Sequence, residues 1–141
     1  MLQVVLDTNV IVSALRSKRG ASYRLTTTLG DGRWQANLSV ALVLQYESAG
    51  KRNCAELGIP DSVTDDLVDM LCARGRHNVV RFRWRGALPD PNDDFVLELA
   101  VAAGCKFIVT YNTRDFSGTR AYGIRAVTPK ELLMTIGEVL S

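Results

Sequence analysis

"QVVLDTNVIVSAL" (residues 3–15) starts as a strand and stops at a charge. An apolar run over residues 4–6 meets Asp7, then Thr8 and Asn9, and apolar residues resume at Val10. Asp and Asn are common helix N-caps, so residues 7–9 read first as the start of a helix. A second reading makes Asp7 one of several acids that distant segments bring to one place. The rest of the chain decides between them.

Outward from this stretch, strand and helix patterns alternate. Residues 10–16 predict a short helix, and "ASYRLTTTLGDG" (21–32) a second one ended by Gly30 and Gly32. "WQANLS" (34–39) predicts a short strand, and Ser39 caps a helix running to about Ala49. "PDSVTDDLVDMLCARG" (60–75) carries the clearest helical signal. Pro60 and Asp61 open it, and Val63, Leu67, Met70 and Leu71 form an apolar stripe.

A strand "NVVRFRW" (78–84), a loop "GALPDPN" (86–92) and a helix "DDFVLELAVAAG" (93–104) follow. "KFIVT" (106–110) predicts a buried strand and "YNTRDFSGTRAYG" (111–123) a loop. "IRAVT" (124–128) is the last strand, and "PKELLMTIGEVL" (129–140) a closing helix with Pro129 in its first turn. No repeat, linker or low-complexity segment interrupts this order. Such alternation predicts an α/β domain over residues 1–141, with a mostly parallel sheet of about five strands covered on both faces.

Bulk properties narrow the function. The chain has 141 residues, 47% hydrophobic and 23% charged, with a formal net charge of +2, as in ordinary globular domains. Neither a membrane span nor a signal-peptide pattern is visible, so a cytoplasmic protein without membrane association is expected. Three cysteines, Cys54, Cys72 and Cys105, are widely spaced, which argues for small buried thiols and against a disulfide framework or zinc site. The single histidine, His77, weighs against Ser-His-Asp catalysis. "RGRHNVVRFRWRG" (74–86) is rich in arginine and free of acids. In a strand, Arg81, Arg83 and Arg85 would share one face, either as a solvated edge or as contacts for RNA phosphates.

Parallel sheets place their sites beyond the carboxyl ends of the strands. Asp7 ends the first strand, Asp90, Asp93 and Asp94 follow the Arg-rich strand, and Asp115 follows "KFIVT". Three segments thus bring acids to one sheet edge. Individually they could cap a helix or hold a turn. Carboxylates gathered in a partly buried site repel one another, and a divalent cation among them removes that cost. Oxygen ligands of this kind suit Mg²⁺ or Mn²⁺, which can polarise a phosphodiester and activate water. Asp61, Asp65, Asp66 and Asp69 read instead as the solvated face of a helix.

These residues resemble the PIN-domain nucleases, especially the bacterial branch that includes toxins of toxin–antitoxin pairs. The likeness runs from "VVLDTNVIVSAL" through "LSVALVLQYESA" to "DPNDDFVLELAVAAGCKFIVTYNTRDF", roughly residues 3–128. It implies a Rossmann-like α/β/α sandwich and an acidic cluster that binds Mg²⁺ or Mn²⁺ and cuts RNA. By position it assigns Asp7, Asp93 and Asp115 as catalytic and metal-binding acids, Asp93 standing seven residues before Ala100. Thr8 and Asn9 would shape the loop around Asp7. Asp90 joins the supporting residues, and Asn112 stands where many relatives carry another Asp. A small antitoxin and a second copy of the chain are the protein partners the resemblance suggests.

One position departs from the family. Its second acid, usually a Glu six residues after the Ser that begins the third helix, falls on Gln45. Glu47 is the nearest acid, but two helical residues turn a side chain by about 200°. The resemblance therefore implies an endoribonuclease with weakened metal binding. The alternatives are a degenerate PIN domain that binds RNA or protein without cutting, and a phosphatase- or receiver-type α/β domain. The last usually wants D-x-D after its first strand, where this chain has Asp7-Thr8-Asn9.

Overall fold

Short apolar runs of the kind just quoted cannot leave either face of a strand in water, and the chain answers with helices on both sides of a parallel sheet. The computed structural model describes residues 1–80 and 91–138, the side chains of residues 91–93 excepted. The strands are β1 (Leu2–Leu6), β2 (Trp34–Leu38), β3 (Arg76–His77), β4 (Phe107–Val109) and β5 (Arg125–Val127). All neighbouring strands pair in parallel, in the order β3-β2-β1-β4-β5. The helices are α1 (Thr8–Arg16), α2 (Ala21–Thr27), α3 (Val40–Leu57), α4 (Ser62–Arg74), α5 (Pro91–Ala102) and α6 (Pro129–Thr135). A 3₁₀ turn spans Ser117–Tyr122.

The strand order determines where the helices go. From β1 the chain steps to β2 and then β3 on one side, and returns across β1 to β4 and β5 on the other. Right-handed crossovers place helices from these two directions on opposite faces. Accordingly α1 packs on α3, and α3 on α4, while α5 packs against β1 and β4. The result is the expected three-layer α/β/α architecture. Its core includes Val4, Leu6, Trp34, Leu38, Leu42, Leu97, Ile108 and Phe116, each at most 1% exposed. The Trp34 indole N–H is satisfied inside that core by Thr28 Oγ1 at 2.7 Å.

Helix ends carry their own stop and start chemistry. Ser39 caps α3 by accepting from the Leu42 amide at 3.2 Å, and Gly58, at φ 69°, ends it in the left-handed region that glycine adopts without strain. Thr128 and Glu131 form a reciprocal capping box around Pro129 at the start of α6. The α3–α4 crossing is close: a Cβ on Gly50 would sit 2.5 Å from Thr64 Cγ2, so only glycine lets these helices approach.

Several sequence expectations need correction. Helix α3 runs to Leu57, two turns past Ala49, because Gly50 is consumed by the close crossing and Gly58 is the residue that stops the helix. The buried stripe of α4 is Thr64, Val68 and Leu71, with Leu67 and Met70 packed partly buried beside it, whereas Val63 is exposed. Among the described residues β3 is Arg76–His77, just ahead of the "NVVRFRW" stretch expected as strand, of which residues 81–84 lie outside the described residues. Residues 78–80 form no strand, and Arg81, Arg83, Arg85 and Asp90 lie outside the described residues. Cys54 and Cys105 are buried, as expected, while Cys72 is half-buried. Burial pushes the Cys105 thiol up to about 12.

Candidate active site

Strand order reverses between β1 and β4, and the crevice outside the carboxyl ends at such a switch point is where open α/β sheets bind ligands. Parallel register pairs Leu6 with Val109, which puts Asp7 beside Thr110 at the two strand ends. The Asp7 amide donates to the Val109 carbonyl at 2.8 Å, extending the ladder by one bond. The acid therefore sits where the backbone pairing ends and the crevice begins.

The Asp7 side chain, 7% exposed, is held on both oxygens. Oδ1 accepts from the Thr8 amide at 2.8 Å, and Oδ2 accepts from Thr110 Oγ1 at 2.8 Å. The first of these bonds also caps α1, so the capping reading of Asp7 and the site reading describe one geometry. Thr110, fully buried, is the hub of the cluster. Its hydroxyl oxygen accepts from the Asn112 amide at 3.0 Å and from Asn9 Nδ2 at 3.3 Å. Asn9 in turn accepts from the Tyr111 amide through Oδ1 at 3.3 Å. Asp7, Thr8, Asn9 and Asn112 are thus tied into one network. Asp115 stands one turn further along the same loop, its amide donating to the Asn112 carbonyl at 3.0 Å.

Helix α3 closes the crevice from the other side. The Tyr46 hydroxyl, fully buried, donates to the Leu6 carbonyl. Burial first, and the nearby Asp7 charge second, push its phenol well above the ordinary value. Gln45, the residue before it, is half-buried. Burial first, then the Asp69 and Glu47 charges, push the Cys72 thiol on α4 above its ordinary value. Gln45 and Glu47 lie on one continuous helix, two residues and about 200° apart.

Helix α5 supplies the next acids. Asp93 lies in its first turn, with its side chain outside the described residues. Asp94 and Glu98, one turn apart, are 3% and 6% exposed. Among the described residues no three His, Cys, Asp or Glu side chains are grouped closely enough to hold a metal ion. The named donors at the edge are nevertheless all oxygens: the carboxylates of Asp7 and Asp115 and the amide oxygens of Asn9, Asn112 and Gln45. That donor chemistry fits a hard divalent cation.

Sequence reading missed Thr110, Tyr46 and Tyr111. Thr110 closes an apolar strand and reads as its last residue; the available signal was that "VVLD" and "FIVT" break at the same polar position. Tyr46 was overshadowed by its neighbour Gln45.

The sequence matches the PIN domain family over residues 3–114. Comparison with curated proteins finds no match. Two solved structures share the fold. A chain of VapBC2 from Rickettsia felis, bound to a DNA fragment from their promoter, aligns with a TM-score of 0.61 at 14% identity, covering 90% of this chain and 98% of that one. A PilT N-terminus domain protein from the hyperthermophilic archaeon Sulfolobus solfataricus P2 aligns at 0.52 and 16% identity, covering 99% and 98%. With an acid-bearing switch point, an all-parallel sheet of this order and a family match over most of its length, the chain belongs to the PIN domain family.

Proposed function

We propose that the protein is an endoribonuclease that hydrolyses RNA phosphodiesters with Mg²⁺ or Mn²⁺, using Asp7, Asp93 and Asp115. The observation that carries this reading is Asp7, fixed by Thr8 and Thr110 at the switch point of a PIN-domain sheet. Asp7, Asp93 and Asp115 would hold the cation, with Gln45 and Asn112 offering neutral oxygens. When bound, such an ion polarises the scissile phosphate and lowers the pKa of a water. The chain's own residues fix the ligands: Thr110 orients Asp7, and Asn9 orients Thr110 and the following loop. No nucleophilic side chain is required.

A narrower form of the reading makes the protein the toxin of a toxin–antitoxin pair, held inactive by a small antitoxin and working as a homodimer. The sequence resemblance and the fold shared with VapBC2 support it. A second reading, a PIN domain that binds RNA or a protein without cutting, is favoured by Gln45, a neutral residue where the resemblance expects an acid. In a single-stranded RNA cleavage assay, Asp93→Asn should lose metal-dependent cleavage while its circular dichroism stays native. Full activity in the folded variant would remove Asp93 from the site.

A further inference from the structure

Tyr111 follows the hub residue Thr110 and stands at the rim of the same crevice, 45% exposed. Its backbone amide donates to Asn9 Oδ1 at 3.3 Å. Its hydroxyl shares a 2.6 Å hydrogen bond with Ser22 Oγ, on a fully buried residue of α2, and accepts from Ser13 Oγ of α1 at 3.4 Å. Both ends of one side chain are therefore tied down, the backbone to the Asp7 cluster and the phenol to two helices. The amide and hydroxyl are thus engaged in a residue that is nearly half exposed.

We propose that Tyr111 is a stacking platform for an unpaired base of single-stranded RNA, adjoining the phosphate held at the Asp7 edge. The inference rests on the endoribonuclease reading above. Acids repel the phosphate backbone, so a strand approaching this crevice needs affinity from groups without negative charge. An aromatic face supplies it to any base, through stacking that tolerates sequence. The ring is also fixed before the ligand arrives, so little side-chain entropy remains to be lost on binding. A nucleotide stacked here would set the register of the strand over the carboxylates.

The competing role is a tether that merely ties the loop after β4 to α1 and α2. Two substitutions separate the roles, because Tyr111→Phe and Tyr111→Leu both lose the tether and only Tyr111→Phe keeps the ring. The measurement is fluorescence anisotropy of two labelled twelve-nucleotide probes with Ca²⁺ present: oligo(A) RNA and an abasic ribose-phosphate strand of equal length. Tyr111→Leu should bind oligo(A) about 10-fold more weakly, and Tyr111→Phe within about 3-fold of wild type. All three proteins should bind the abasic strand alike, and the salt dependence should keep its slope, because no phosphate contact is removed. Equal losses in the two variants, or a loss that persists on the abasic strand, would overturn the platform. Unchanged oligo(A) binding by Tyr111→Leu, with a wild type that binds and cleaves, would sink the platform alone. A wild type that neither binds nor cleaves RNA would instead sink the endoribonuclease reading, and the platform with it.

Discussion

At the amino end of the sheet, just before β2, Arg33 donates to Asp31 at 2.9 and 2.6 Å and also to Glu138, which receives Arg24 at 3.2 Å. At the carboxyl end, two neutral donors, the Thr8 amide and the Thr110 hydroxyl, hold the two Asp7 oxygens. The arginines hold Asp31 and Glu138 below the usual carboxylate range. Those acids join the chain's C-terminal part to the loop before β2, and arginine supplies the opposite charge they need. A neutral hydrogen-bond donor orients a carboxylate by direction, whereas an arginine also answers its charge. Acids at the two ends therefore differ in what their removal should cost, stability at one and ligand binding at the other.

The sharpest way to break that contrast is Asp7→Asn. Asparagine caps helices as well as aspartate does, so α1 should persist. RNA cleavage should fall at least about 100-fold, while the melting temperature stays within about 3 °C of wild type. A large drop in melting temperature would make Asp7 chiefly a structural cap.

Next in size is Thr110→Val, which removes the donor to Asp7 Oδ2 and the acceptor used by Asn112 and Asn9. Partners behind a ligand typically matter about 10- to 100-fold in metal affinity. Buried groups left unanswered should also cost about 1–3 kcal/mol, read by urea unfolding. Thr110→Ser should restore both. Failure of serine to restore metal affinity would mean that the threonine methyl, and not its hydroxyl, sets the site.

Gln45→Glu should tighten Mn²⁺ binding several-fold by adding a charge where the family places an acid. Unchanged affinity would show that this turn of α3 does not reach the ion.

The smallest effect belongs to the arginine-paired end. Glu138→Gln should lower stability at neutral pH without touching Mn²⁺ affinity. Because pairing lowers the Glu138 pKa, its contribution is present above the ordinary value of 4.5 and disappears as pH falls through the folded value. Melting temperatures of wild type and variant should therefore converge in acid. Exposed pairs contribute little, so a null difference at high salt is expected. A difference that widens in acid would contradict the assigned pairing.

Much of this was legible in the sequence. Alternating patterns gave the parallel sheet, and the end of "VVL" at Asp7 gave the sheet edge that the proposed site occupies. Thr110 was not legible, because a threonine after three apolar residues is ordinary strand chemistry. Only the register that pairs Leu6 with Val109 puts it beside Asp7. The second acid is a difficulty visible in the sequence itself, since Gln45 and Glu47 stand two residues apart on α3 and cannot share a helix face. The start of β3 was placed too late, because β-branched residues such as Val79 and Val80 favour strand locally, whereas the pairing with β2 falls on Arg76 and His77. The acid partners of Arg24 and Arg33 were not legible either. Arg24 and Arg33 turn out to bind acids at the amino end, a pairing that depends on α6 folding back over α2.

The central claim is that the crevice between β1 and β4 binds a divalent cation through Asp7. A calorimetric Mn²⁺ titration of the wild type beside Asp7→Asn tests it most directly. The account predicts a saturable binding isotherm in the wild type that vanishes in the folded variant. Equal binding by both proteins, or none by the wild type, would contradict it.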